Sequence, residues 1–172
     1  MRSPIVVDTN VLLVANGGSS YEPSCVFACA RRLREIQISG CVVLDQGREI
    51  LGEYANKQAL KGQPGIGFQF WKWLLNTKSS SDHCQFVKIT KVDPDGYEEF
   101  PDHRDLAKFD PSDKKFVAVV VAHGSWPPIC QAADSKWWGW KEALQECQIN
   151  VQFLCPNQIK AKFEKKMKKR NG

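Results

Sequence analysis

Short runs of β-branched and aliphatic residues recur along the chain at positions 5–7, 41–44, 86–89, 128–131 and 151–154. Each has the length of a buried strand and is too short for a helix. Between them, apolar residues fall at helical spacing over 24–38, over 47–60 after the second run, and over 68–75. Strands alternating with helices imply a parallel sheet covered on both sides. The pattern therefore predicts an α/β fold, with a central parallel sheet of about five strands and helices on both faces. Gly17-Gly18-Ser19-Ser20, 62–67 and 79–81 read as loops, and 93–113, acidic and broken by Pro94, Gly96, Pro101 and Pro111, as an extended surface connection.

Composition adds a division of charge. The 172 residues suit one core, and no internal repeat suggests a second folded unit. Net charge is +5, but residues 160–172 hold seven basic residues against Glu164, a net of +6 that leaves the rest at about −1. The chain thus reads as a domain over 1–159 followed by a basic tail over 160–172, which is either an attractor for a polyanion or a solvated end. The longest apolar run, 116–122, is too short to cross a bilayer, and the N-terminal apolar stretch is interrupted by Asp8 and Asn10. Seven cysteines, an odd number scattered through apolar segments, lack the spacing of a disulfide framework. A reducing, cytoplasmic setting is expected.

Four acids stand at positions that can converge. Asp8 follows the first strand and Asp134 follows the run at 128–131, so both fall at the carboxyl edge of the sheet, where open α/β sheets bind ligands. Glu53 borders the apolar stripe of Ile50, Leu51, Tyr54 and Ala55, whereas Glu49 points further toward solvent. Asp110-Pro111-Ser112-Asp113 starts a helix over 114–122, with Asp110 as cap, and Asp113 shares a face with Phe116, Val117 and Val120. Each acid alone could be a helix cap or a boundary residue. Four together would repel unless cations or protons intervened, and oxygen-only ligation suits Mg²⁺ or Mn²⁺.

The segments Val6-Val7-Asp8-Thr9-Asn10-Val11-Leu12, Glu53-Tyr54, Asp113-Lys114-Lys115-Phe116 and Ala133-Asp134-Ser135 occur in an order that resembles the PIN-domain nuclease family. The resemblance spans essentially the whole chain before the tail. It implies a Rossmann-like sheet and an endonuclease acting on RNA, in which Asp8, Glu53, Asp113 and Asp134 are the catalytic, metal-binding acids, with Asn10, Asp110 and Ser135 in support. A bound cation would acidify a water for in-line attack on a phosphodiester and stabilise the developing oxyanions. Lys114, Lys136, Lys165, Lys166, Lys168, Lys169 and Arg170 are the expected nucleic-acid contacts. A toxin or defence effector held in check by an inhibitory protein partner, or a homo-oligomer, is the biological setting that the resemblance implies. Two departures concern the last acid: the family often has Ser or Thr where Ala132 stands and a further acid where Lys136 stands, which leaves one metal or two open. The rival reading is a silent PIN-like module that binds RNA or protein, and a metal-dependent phosphatase is weaker, because Asn10 stands where that chemistry expects a second aspartate.

Other signals lead away from chemistry. Asp93-Pro94-Asp95-Gly96 puts its glycine at the fourth position of an EF-hand loop instead of the sixth. Cys25 and Cys29 are one helical turn apart, but no second pair completes a zinc site. His123 ends a helix with no nucleophile assigned to it. Trp137, Trp138 and Trp140, and the group Phe68, Phe70, Trp71 and Trp73, could stack on bases but fit core or interface roles more often. Trp137 and Trp138 diverge on a helix, so one of them is expected to be exposed or to cover a neighbouring chain.

Overall fold

The computed structural model describes residues 1–18, 20–57 and 64–172. Ser19 of the expected Gly-Ser loop, 58–60 of the helix expected over 47–60, and 62–63 of the next loop lie outside the described residues. Strand β1 (Ser3–Val7) pairs in parallel with β2 (Gly40–Asp45), and β2 with β3 (Cys84–Val87). On the other side of β1 lie β6 (Ile129–Gln131) and then β7 (Val151–Phe153), also parallel. The order β3-β2-β1-β6-β7 grows outward from β1 in both directions. Such a reversal opens a crevice at the carboxyl ends of the two central strands, here β1 and β6.

Ile5, Val6 and Val7 are all buried, as are Cys41, Val42, Val43 and Leu44. Successive strand residues face opposite sides, so both faces of the sheet are covered. Helices α1 (Thr9–Ala15), α2 (Pro23–Ser39) and α4 (Ile66–Thr77) pack on one another. Helix α3 (Glu49–Asn56) follows β2, and α5 (Lys114–His123) packs across β1, β2, β3 and β6. Helix α6 (Ser135–Glu146) precedes β7, and α7 (Pro156–Arg170) packs against α6. The α/β architecture and the five parallel strands agree with the hydrophobic pattern, and the central parallel sheet with its helices is Rossmann-like. Close packing has a local cause at Gly67, where a Cβ would stand 1.9 Å from the Leu12 carbonyl oxygen of α1.

Several local expectations change. The third strand is Cys84–Val87 instead of 86–89, because Val42 to Asp45 of β2 pair with Cys84 to Val87. Segment 93–113 is more than a surface connection: Lys91–Val92 (β4) and Gly96–Tyr97 (β5) form a hairpin, and Leu106 and Phe109 are buried. The Phe109 ring contacts Phe100, Trp137 and Trp140, with centroids 4.6–5.3 Å apart, and such packing ties the segment to α6. Trp137 is fully buried, while Trp138 packs on Phe153 of the same chain. Neither ring needs a second chain to cover it.

The cysteines also differ from expectation. Cys25, at the start of α2, and Cys155, just before α7, form a disulfide with Cα atoms 5.4 Å apart. Their separation of 130 residues hid the pair in the sequence, since only the sheet order brings α2 and α7 together. The Cys29 sulfur lies within 4.8 Å of both, and burial pushes its thiol up to about 12. The basic stretch continues α7: Ile159 is buried, Phe163 is half-buried against Gly139 of α6, and the Lys166 ammonium donates to Ser135 Oγ at 2.8 Å. Residue 160 therefore falls inside a helix packed on the body. No described helix is long and apolar enough to cross a membrane.

Candidate active site

A cavity of about 650 Å³ opens at the carboxyl ends of β1 and β6, and Asp8, Glu53, Asp110, Asp113 and Asp134 all line it. Four separate chain segments thus bring the sequence-predicted acids to one place. Asp8 leaves β1 in extended conformation, with its amide donating to the Cys130 carbonyl of β6 at 3.0 Å. Its Oδ1 accepts the Asn10 amide at 2.7 Å, so the side chain caps α1 while facing the cavity. Behind it, the Tyr54 hydroxyl of α3 donates to the Val7 carbonyl and fixes the end of the strand. Asp134 repeats the arrangement after β6, with its Oδ1 accepting the Lys136 amide at 3.0 Å at the start of α6.

Asn10 supports the site in a way the sequence did not specify. Its side-chain oxygen accepts the Ala133 amide at 2.7 Å, which locks the loop after β1 to the loop after β6. Asp113 ends a 3₁₀ turn, Pro111–Asp113, whose cap is Asp110, and the Trp137 indole donates to Asp113 Oδ2 at 3.1 Å. The Lys136 ammonium reaches Asp110 at 2.7 Å, so this lysine spans the rim between two acidic segments. Ser135 does not line the cavity; it is buried and bonded to Lys166. Lys114 sits over the Phe100 ring, while Lys165, Lys168, Lys169 and Arg170 are exposed on α7.

Glu53 and Glu49 both border the cavity, but their partners differ. Glu53 Oε1 accepts the Thr9 hydroxyl at 2.6 Å and Oε2 pairs with Lys115, whereas Glu49 pairs with the exposed Lys91 at 2.7 Å. Thr9 and Lys115 are partners of Glu53 that the sequence did not single out. The available signal for Lys115 is a charge directly adjoining the apolar run 116–122, where burial is expected. Asp45 carried a signal as well: it ends β2 as Asp8 ends β1, but both its oxygens cap α3 through the Glu49 and Ile50 amides, and it does not line the cavity.

The electrostatics favour cation capture. Burial pushes the Asp8 carboxyl well above the usual carboxylate range, and the charges of Asp113, Glu53 and Asp134 push it further, against the opposing Asn10 amide. Asp113 is raised to about 6, first by burial and then by Asp110 and Asp134. Asp110 moves the other way because Lys136 bonds to it. Buried like charges of this kind gain from a nearby cation or take up protons. Among the described residues, however, the only three ligand atoms within 4.8 Å of one another are the Cys25, Cys29 and Cys155 sulfurs. The acids are spread more widely than that, each held by its own donor. Hard oxygen donors in a water-accessible pocket suit Mg²⁺ or Mn²⁺, whereas buried sulfurs do not.

Comparison with protein-family models, with characterised proteins and with solved structures gives no significant match.

Proposed function

We propose that the chain is a divalent-metal-dependent nuclease of the PIN-domain type, hydrolysing single-stranded nucleic acid and RNA in particular. The observation that carries the reading is the placement of Asp8, 4% exposed, at the switch point of the sheet among Asp113, Glu53 and Asp134, whose charges oppose its ionisation. Asp8, Asp113 and Asp134 would hold Mg²⁺ or Mn²⁺, with Glu53 beside them. A divalent ion there supplies charge that polarises a phosphate and stabilises developing oxyanions. The chain's own part is to fix the carboxylates through the Asn10 and Lys136 amides and the Trp137 indole, and to carry Lys136 on the rim as a partner for phosphate.

The exposed lysines of α7 add sequence-independent attraction to the polyanion. A cytoplasmic endoribonuclease restrained by a partner protein is the setting we propose. A substrate panel tests the function: labelled single-stranded RNA, single-stranded DNA and a phosphomonoester, each with Mn²⁺ or with chelator. Metal-dependent RNA cleavage supports the reading. Tight RNA binding without cleavage would identify a silent module, and turnover of the monoester alone a phosphatase.

A further inference from the structure

Lys115 is 8% exposed and lies behind the acidic cavity, where its charge reaches Glu53 of the lining. Its ammonium donates to the Ser112 carbonyl and pairs with Glu53 Oε2, while the Thr9 hydroxyl occupies Glu53 Oε1. Both oxygens of Glu53 are therefore engaged. The other three acids differ: Asp8 Oδ2 and Asp134 Oδ2 accept no hydrogen bond among the described residues, and Asp113 Oδ1 has only a 3.4 Å contact from Ser112.

We infer that Lys115 stands in for a second cation, so that Asp8, Asp113 and Asp134 hold one divalent ion, in part through its bound waters because their oxygens are too widely spread for all three to ligate it directly, and Glu53 is kept as the counter-ion of the lysine. The inference rests on the proposed metal site and specifies how it is filled. Breaking a buried ion pair leaves an uncompensated charge, so a metal that recruited Glu53 would have to displace Lys115 against that penalty. A second observation points the same way. Position 136 offers an ammonium, and that ammonium pairs with Asp110 at 2.7 Å, so Asp110 is also engaged by a lysine of the chain. Lys115 is thus a positioning residue that acts through Glu53.

Calorimetric titration of the full chain with Mn²⁺ counts the ions directly. One ion per chain is expected for the wild type, and binding should be lost in Asp8→Asn. Glu53→Gln should keep one ion, with affinity weakened by no more than about 10- to 100-fold, since an outer partner and not a ligand is altered. Lys115→Met should free Glu53 and add a second ion, and the double variant Lys115→Met/Glu53→Gln should return to one. Two ions in the wild type, an unchanged count in folded Lys115→Met, or loss of the bound ion in Glu53→Gln would overturn the inference while leaving the metal site standing. If Lys115→Met does not fold, the wild-type count and Glu53→Gln decide the matter. Absence of Mn²⁺ binding by the wild type, or its survival in Asp8→Asn, would remove the metal site and the inference with it.

Discussion

The acidic cavity and the basic helix α7 hold most of the chain's distinctive charge in opposite ways. In the cavity, carboxylates from four distant segments are each fixed by a specific donor, and burial makes their mutual repulsion costly. In α7 the charges come from one contiguous stretch, nearly all are exposed, and the bond from Lys166 to Ser135 ties them to the start of α6. Charge held by tertiary structure is suited to chemistry that depends on geometry. Charge displayed along an exposed helix attracts a polyanion wherever its phosphates lie.

Removing a metal-holding acid should therefore abolish turnover, and changes in α7 should only weaken capture. The largest effect is expected for Asp8→Asn, which keeps the cap on α1 but removes a metal-holding charge. Loss of several kcal/mol of charge stabilisation lowers turnover by at least about 100-fold, measured on labelled RNA with Mn²⁺. Glu53→Gln comes next, at about tenfold in turnover, because it leaves the Lys115 charge unbalanced beside the metal. Glu49→Gln should cost no more than about twofold, since its partner Lys91 is exposed. The reverse ranking would mean that the α3 face is assigned to the wrong chemistry.

The cavity should also carry a pH signature that α7 lacks. Asp113 has a folded pKa of about 6, above its ordinary 3.8, and that of Asp8 is raised too. A group raised in this way stabilises the fold at low pH, and the contribution disappears as pH rises through the folded value. Metal-free protein should thus lose about 1–2 kcal/mol between about pH 4 and pH 7, read as a falling Tm, and Asp113→Asn should flatten the fall. Added Mn²⁺ should restore Tm at neutral pH and do little in acid. A flat profile for the wild type would show that the acids do not repel as the structure implies.

The smallest effect concerns capture. Deleting residues 160–172 would remove Phe163 from its place against Gly139, so neutralising exposed side chains gives a cleaner test. Replacing Lys165, Lys168, Lys169 and Arg170 with Gln should make the slope of log affinity against log salt less steep by up to about 3, at about 0.7 for each phosphate that is no longer neutralised. Turnover at saturating RNA should be retained. An unchanged slope would assign α7 to another role and leave capture to the cavity rim.

Asp8 and Asp134 were legible in the sequence because an apolar run closely followed by Asp marks both a strand and its carboxyl edge. The same signal was present at Asp45, whose carboxylate only caps α3. Strand-end aspartates thus indicate where a cavity can form without revealing which of them face it. That choice depends on sheet order, which puts β1 and β6 at the switch point and Asp45 one strand away. Contacts between distant segments were hidden for a similar reason. Thr9 with Glu53, Trp137 with Asp113, and Cys25 with Cys155 each join elements that meet only after the sheet is assembled. The extent of α7 was obscured because a run rich in lysine resembles a solvated end, and its two anchors, Ile159 and Phe163, fall at the edge of that run.

Metal-dependent cleavage tests the central claim most directly. Wild-type protein and Asp8→Asn, each confirmed as folded, would be incubated with end-labelled single-stranded RNA in Mn²⁺, in chelator, and in chelator followed by excess Mn²⁺. The account predicts discrete products with the wild type in Mn²⁺, none in chelator, recovery when the metal is returned, and little or no product from Asp8→Asn under any condition. Cleavage that persists in chelator, or that proceeds equally in Asp8→Asn, would contradict it.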